Sequence, residues 1–267
     1  MSYAILTDTT LCTGCDKCVD ACVEINHLGE DLHYRWREAD GLNENRFCSV
    51  VRPVPDCFVR LQCRQCLDPA CASACPVGAL QKTDAGPVIY DTEICMGCRY
   101  CMMACPFGIP RYEWESAVPH IRKCTFCYEA MAKGEIEQPA CTAACPERAT
   151  VFFEDRGEAL LEARRRIAEN PGAYFEDRIW GEHEVGGTSV LYLASTDLSA
   201  VLWHSFKPLG DEPFPERTER IMVTVPSTFF GVCMAMAGTY WVIRRRQKLM
   251  SGNPPADDLD TLEGGEP

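Results

Sequence analysis

Sixteen of the nineteen cysteines in this 267-residue chain fall into four tetrads. Cys12, Cys15, Cys18 and Cys22 are spaced C-x2-C-x2-C-x3-C, and Cys95, Cys98, Cys101 and Cys105 repeat that spacing. Cys63, Cys66, Cys71 and Cys75 widen the middle gap to four residues, while Cys124, Cys127, Cys141 and Cys145 widen it to thirteen. The outer steps stay fixed as the middle varies, which marks an internal repeat whose loop tolerates insertion at one place. Three thiolates on one short turning loop can reach three irons of a cubane, and the fourth cysteine leaves the loop to ligate a neighbouring cluster. Four complete tetrads therefore imply four [4Fe-4S] clusters.

Pro76, Pro106 and Pro146 follow the last cysteine in three tetrads, completing the signature of bacterial ferredoxins, whose clusters come in pairs. Val23 stands in that place in the first tetrad. Zinc fits less well, because a third cysteine just beyond a C-x2-C pair is surplus to a tetrahedral site, although the Cys124 to Cys145 set alone resembles a zinc ribbon. Disulfides would waste the repeat. Of the three cysteines left over, Cys48 and Cys57 read as buried free thiols, bridged only in an oxidising compartment. Cys233 reads as a small apolar residue in a hydrophobic stretch.

The rest of the composition narrows the function. With 39 Asp and Glu against 26 Lys and Arg, net charge -13, the chain lacks the basic footprint of a nucleic-acid binder. No nucleophile stands beside a base. Gly186-Gly187-Thr188 lacks the lysine and spacing of a phosphate loop, and the five histidines, His27, His33, His120, His183 and His204, are scattered. His120 reads as a surface or hydrogen-bonded residue and not a ligand.

Among the elements that must position the cysteines, residues 79–83 and 87–91 read as two strands about an Asp-Ala-Gly turn, and 149–153 as a third strand. Residues 156–169 carry apolar side chains at helical steps behind an Asp155 cap, and 190–193 form a short strand-like run. Residues 1–8 have neither the basic nor the apolar region of a cleavable export signal. Residues 203–220 read as a surface linker. Residues 221–243 contain no ionisable side chain, enough for one membrane span, with Pro226 in its first turn or two, Tyr240-Trp241 near one end and Arg244-Arg245-Arg246 beyond. The expected fold is α+β. Tandem ferredoxin-like modules occupy 1–153, a helix, strand and linker packing on them 154–220, a transmembrane helix 221–243, and a basic then acidic, disordered tail 244–267.

The ordered tetrads, together with CMGCRYCMMACPFGIPRY at 95–112, RKCTFC at 122–127 and the Gly-Gly-Thr segment at 186–188, resemble a known class. These are the four-cluster iron–sulfur subunits of respiratory complexes: formate dehydrogenases, dimethyl sulfoxide reductases and membrane-anchored hydrogenases. The resemblance runs from residue 11 to about residue 193. It implies a nested pairing that spacing alone leaves open. Cys12, Cys15 and Cys18 would share a cluster with Cys145, and Cys124, Cys127 and Cys141 with Cys22. Cys63, Cys66 and Cys71 would join Cys105, and Cys95, Cys98 and Cys101 would join Cys75. Some relatives lack one ligand and hold a [3Fe-4S] cluster, whereas all sixteen cysteines are present here.

The resemblance further implies a non-catalytic wire between a catalytic subunit, hydrogenase ahead of formate dehydrogenase, and a quinone- or haem-bearing membrane subunit. Three basic residues precede the span (Lys207, Arg217, Arg220) and four follow it (Arg244, Arg245, Arg246, Lys248), favouring a cytoplasmic carboxy terminus and an outward-facing, periplasmic cluster domain. Two other classes compete: a free-standing polyferredoxin shuttle, which needs no span, and a zinc-organised interaction module, which contains no iron.

Overall fold

The computed structural model describes residues 2–29, 40–202 and 209–251. His33, His204, Lys207, part of the linker and the acidic tail lie outside them. The strands, in chain order, are β1 (Ala4–Asp8), β2 (Ser49–Val54), β3 (Cys57–Leu61), β4 (Leu80–Lys82), β5 (Val88–Tyr90), β6 (Arg111–Tyr112), β7 (Ile121–Arg122), β8 (Thr150–Phe153) and β9 (Val190–Leu193). The helices are α1 (Lys17–Ile25), α2 (Ala70–Ser73), α3 (Tyr100–Ala104), α4 (Tyr128–Ala132), α5 (Ala140–Ala143), α6 (Arg156–Glu169), α7 (Ser199–Leu202) and α8 (Phe214–Met250). This is a mixed α and β architecture of short elements, closed by one long helix.

At its centre β1 is flanked by β8, antiparallel, and β9, parallel. All five residues of β1 are buried, as expected of a strand covered on both faces. Successive side chains alternate between those faces. Ala4 and Leu6, with Leu191 and Leu193, pack against Ala159 and Ala163 of α6, two small residues one helical turn apart that let the helix lie close. Ile5, with Val190 and Tyr192, faces the cysteine-bearing side, where Val59, Leu61, Phe107, Phe126 and Trp180 complete the core. Helix α6 starts and ends where its pattern predicts, and Asp155 caps it by accepting from Gly157 N–H at 2.8 Å. The predicted hairpin forms as β4 and β5, with Leu80 opposite Tyr90.

At residues 209–213, Gly210 and Asp211 accept backbone hydrogen bonds from Val185 and Gly186 at 2.8 and 2.6 Å. Two expectations about the carboxy-terminal part need correction. Helix α8 begins at Phe214, before the apolar stretch, and continues through Arg244, Arg245 and Arg246 to Met250, so the basic cluster is helical. Pro226 accordingly lies well inside the helix, where it lacks an N–H to donate. Neighbouring hydroxyls bond to the backbone there, Ser227 and Thr228 both donating to the Thr224 carbonyl at 2.9 and 2.8 Å.

The described chain divides into two units between Glu216 and Arg217. Within the second, α8 is long and apolar enough to cross a membrane, and none of its most apolar stretch is buried. Its 37 residues span about 56 Å, against about 30 Å of bilayer hydrocarbon. Arg244 and Arg245 lie over the rings of Tyr240 and Trp241, at 5.4 and 5.3 Å, the kind of amphipathic cluster that suits an interface.

Candidate metal centres

The four tetrads share one backbone device. The residue before the second cysteine, Gly14, Gln65, Gly97 or Phe126, has a positive φ of 69°, 53°, 69° or 66°. That left-handed step turns the loop back on itself, and it costs a non-glycine residue about 1–2 kcal/mol. Glycine meets it twice without strain, and a Cβ on Gly14 would stand 2.5 Å from the Phe58 ring. Gln65 and Phe126 are instead held by their surroundings. The Gln65 side chain donates to the Cys124 carbonyl at 2.9 Å and accepts from Val88 N–H at 2.7 Å, and Phe126 is buried in the core.

After the loop, the third cysteine of each tetrad sits on a short helix: Cys18 on α1, Cys71 on α2, Cys101 on α3 and Cys141 on α5. In three tetrads the helix stops before or at the fourth cysteine, where the following proline disfavours helical backbone. In the first, Val23 permits α1 to run on to Ile25, which leaves Cys22 inside a helix, with Asn26 Nδ2 donating to its carbonyl at 2.8 Å and lying 3.6 Å from its sulfur.

The loops converge across tetrads. One cavity is lined by Cys12, Cys15, Cys18 and Cys145, with Thr7 and Arg60 behind them. A second is lined by Cys22, Cys124, Cys127 and Cys141, and another by Cys75, Cys95, Cys98 and Cys101. Cys105, Cys63 and Cys71 act electrostatically on the buried Cys66, which gathers the remaining four. The groups neighbour one another in succession. Arg60 joins the first two cavities, Cys63 acts electrostatically on Cys124 between the second and third groups, and Cys71 acts on Cys101 between the third and fourth.

Burial, reinforced by neighbouring sulfurs, pushes the Cys71, Cys101 and Cys124 thiols up to about 12 and the Cys105 and Cys127 thiols to about 11. Binding a metal as thiolates must therefore expel protons. Burial also raises Cys75, but the N–H groups of Leu80, Val77, Ala79 and Gly78 outweigh it and lower the thiol overall. Ala79 N–H lies 3.2 Å from the Cys75 sulfur, and Phe126 N–H 3.3 Å from that of Cys124. Cys48 is buried against Cys18 and lowers its pKa through a side-chain hydrogen bond, while Cys57 is buried between Thr9 and Thr196. Neither is bridged.

A set of four thiols around a cavity, approached by backbone N–H groups, fits an iron–sulfur cluster. A zinc site would bring its sulfurs to about 2.3 Å from one point. Among the described residues, no three His, Cys, Asp or Glu side chains are placed to hold a single ion.

The Gly-Gly-Thr segment acts as scaffold. Leu67 N–H donates to Gly187, and Ser189 and Val190 donate to the Gln65 and Arg64 carbonyls at 3.0 and 3.1 Å, lacing the second tetrad's loop to β9. Arg60 carries no local motif, yet it lines the first cavity and bonds Cys141 of the second. His120 falls between β6 and β7, where its backbone N–H donates to Glu113 at 3.1 Å.

Residues 55–156 match a family model described as a 4Fe-4S dicluster domain. Over 262 residues the chain is 38% identical to a protein of Nitratidesulfovibrio vulgaris, covering 93% of this chain and 68% of that one. It is 30% identical over 291 residues to the Hydrogenase-2 operon protein HybA of Escherichia coli O157:H7, covering 92% and 85%. Similarity to the probable anaerobic dimethyl sulfoxide reductase chain YnfG of Escherichia coli K12, 38% identical over 160 residues, covers 56% of this chain and 72% of that one.

Proposed function

The chain belongs to the family of iron–sulfur electron-transfer subunits of respiratory oxidoreductases, and on that premise we propose that it joins a catalytic subunit to a quinone- or haem-bearing membrane subunit through four [4Fe-4S] clusters. It is an electron-transfer subunit and not a catalytic one. The observation that carries the four-cluster reading is the succession of four four-cysteine groups, each drawing its fourth member from another tetrad. That exchange supports two ferredoxin-like modules in tandem, nested along the sequence: tetrads one and four hold the first two clusters, and tetrads two and three hold the other two. Bound clusters would supply one-electron transfer at each group. The chain's own residues would hold them at neighbouring sites, keep water from the thiols buried in the core, and direct N–H groups at the sulfurs.

Hydrogenase is the favoured catalytic partner. The similarity to the hydrogenase-2 operon protein extends over 92% of the chain, whereas that to the dimethyl sulfoxide reductase chain covers 56%. Elemental analysis of the complex purified anaerobically from solubilised membranes tests both levels of the reading. Iron near sixteen per chain with nickel is expected; the same iron with molybdenum or tungsten replaces hydrogenase with a pterin enzyme such as formate dehydrogenase, and zinc without iron defeats the four-cluster reading.

We further propose that α8 is a single-pass anchor with its basic end cytoplasmic and the cluster-bearing unit outside, supported by the tight Arg244 to Arg246 cluster. A cysteine engineered into the tail beyond residue 251 should resist an impermeant thiol label on intact cells and react after permeabilisation. Labelling on intact cells would reverse the topology.

A further inference from the structure

Arg60 is a buried guanidinium, 2% exposed, in the middle of the cysteine-bearing side of the sheet. Its Nη1 donates to the Cys141 sulfur at 3.1 Å and to Gln62 Oε1. Its Nη2 donates to Thr150 Oγ1 at 2.8 Å and Thr7 Oγ1 at 3.2 Å. The same side chain lines the cavity of Cys12, Cys15, Cys18 and Cys145. All its hydrogen-bond acceptors are uncharged oxygens or a cysteine sulfur. The carboxylates that share this cavity, Asp16 and Glu147, are exposed. A permanent charge removed from water without a paired carboxylate costs several kcal/mol unless an opposite charge lies nearby. The two adjacent cysteine groups are where that negative charge would be found once they hold clusters.

Resting on the four-cluster reading above, we propose that Arg60 is a positioning residue for electron transfer, its fixed charge held between the first two clusters to raise the reduction potentials of both. A positive charge favours the more negative, reduced state of each neighbour. The hydrogen bond to Cys141 adds a second effect confined to the cluster of Cys22, Cys124, Cys127 and Cys141. At an effective dielectric constant of about 20, one unit charge within about 10 Å shifts a one-electron equilibrium by about tenfold or more, or about 59 mV.

The test is an EPR-monitored redox titration of the intact purified complex, with iron counted per chain. In Arg60→Gln, two of the four signals should move to more negative potential by about tenfold or more in their reduction equilibria, while the other two stay in place as internal controls. Arg60→Lys keeps the charge and loses the forked geometry, so it should move one signal and spare its neighbour. If Arg60→Gln fails to assemble, Arg60→Met, which keeps the bulk and removes the charge, decides: two signals shifted to more negative potential support the proposal, and none shifted overturns it. Full iron with all four potentials at their wild-type values in Arg60→Gln also overturns it, showing that the arginine only ties Thr7 to Thr150. Wild-type protein without iron for four clusters would instead defeat the reading on which the inference rests.

Discussion

The Cys22→Ser and Cys141→Ser variants are expected to damage the same cluster, and Cys12→Ser and Cys145→Ser a different one, although Cys22 follows Cys12 in one tetrad and Cys145 follows Cys141 in another. The cavities impose this exchange: Cys22 lines one with Cys141, and Cys145 lines one with Cys12. Its physical origin is the direction in which the chain leaves each loop. Helix α1 carries Cys22 away from Cys18 toward α5, and the end of α5 delivers Cys145 back toward the first loop. Each single variant should lose one EPR signal or convert it to a three-iron form, with iron falling by about one to four atoms per chain. Non-additivity gives the sharper readout. The double variant Cys22→Ser, Cys141→Ser should affect one signal, whereas Cys22→Ser, Cys12→Ser should affect two, with roughly twice the iron loss. Loss of a single common signal in the Cys22, Cys12 pair would mean that each tetrad closes on itself.

Much of this site is legible in sequence because its determinants are local. A C-x2-C step fixes the loop, the proline after the fourth cysteine ends the helix, and Asp155 with its apolar period sets α6. What is not local is not legible. The five residues of β1 are too short a run to distinguish from other apolar segments, and their partners lie some 150 and 190 positions along the chain, at Thr150 to Phe153 and Val190 to Leu193. The hairpin of β2 and β3 hides behind Pro53 and Pro55, which argue against a strand. The two-stranded sheet accommodates Pro53 with a register shift between Val51 and Val54. Arg60 reads as an ordinary basic residue until tertiary burial deprives it of water. The start of α8 did carry a signal, Pro215 and Glu216 in the first turn, which a reading based on hydropathy alone passes over.

That same sheet supplies the second large effect, at Asp8, where β1 ends and the first cysteine loop begins. Its carboxylate is 1% exposed. Oδ2 accepts from Tyr174 Oη at 2.9 Å and from Arg166 Nη1 at 3.2 Å, and Oδ1 from the Thr10 hydroxyl and N–H at 2.6 and 3.1 Å. One side chain thus joins the sheet, α6 and the turn that leads to Cys12. Asp8→Ala should cost about 3 kcal/mol, near the lower end for breaking a buried pair, because Arg166 retains Glu162 at 2.9 Å. Asp8→Asn, which keeps an acceptor for Tyr174 or Thr10, should cost less. The rate of iron loss from the purified complex on warming measures both, and a wild-type rate for Asp8→Ala would rule out this role. The contact also has a pH signature. Burial and the hydrogen bond to Asp8 raise the Tyr174 pKa above that of a free tyrosine. Its contribution is therefore complete below the ordinary tyrosine range and is lost as pH rises through the raised value, since the folded state resists giving up that proton. The gap between wild type and Asp8→Ala should consequently be wide at neutral pH and narrow in alkali. A gap that is constant into alkali would mean that Tyr174 and Asp8 are not coupled.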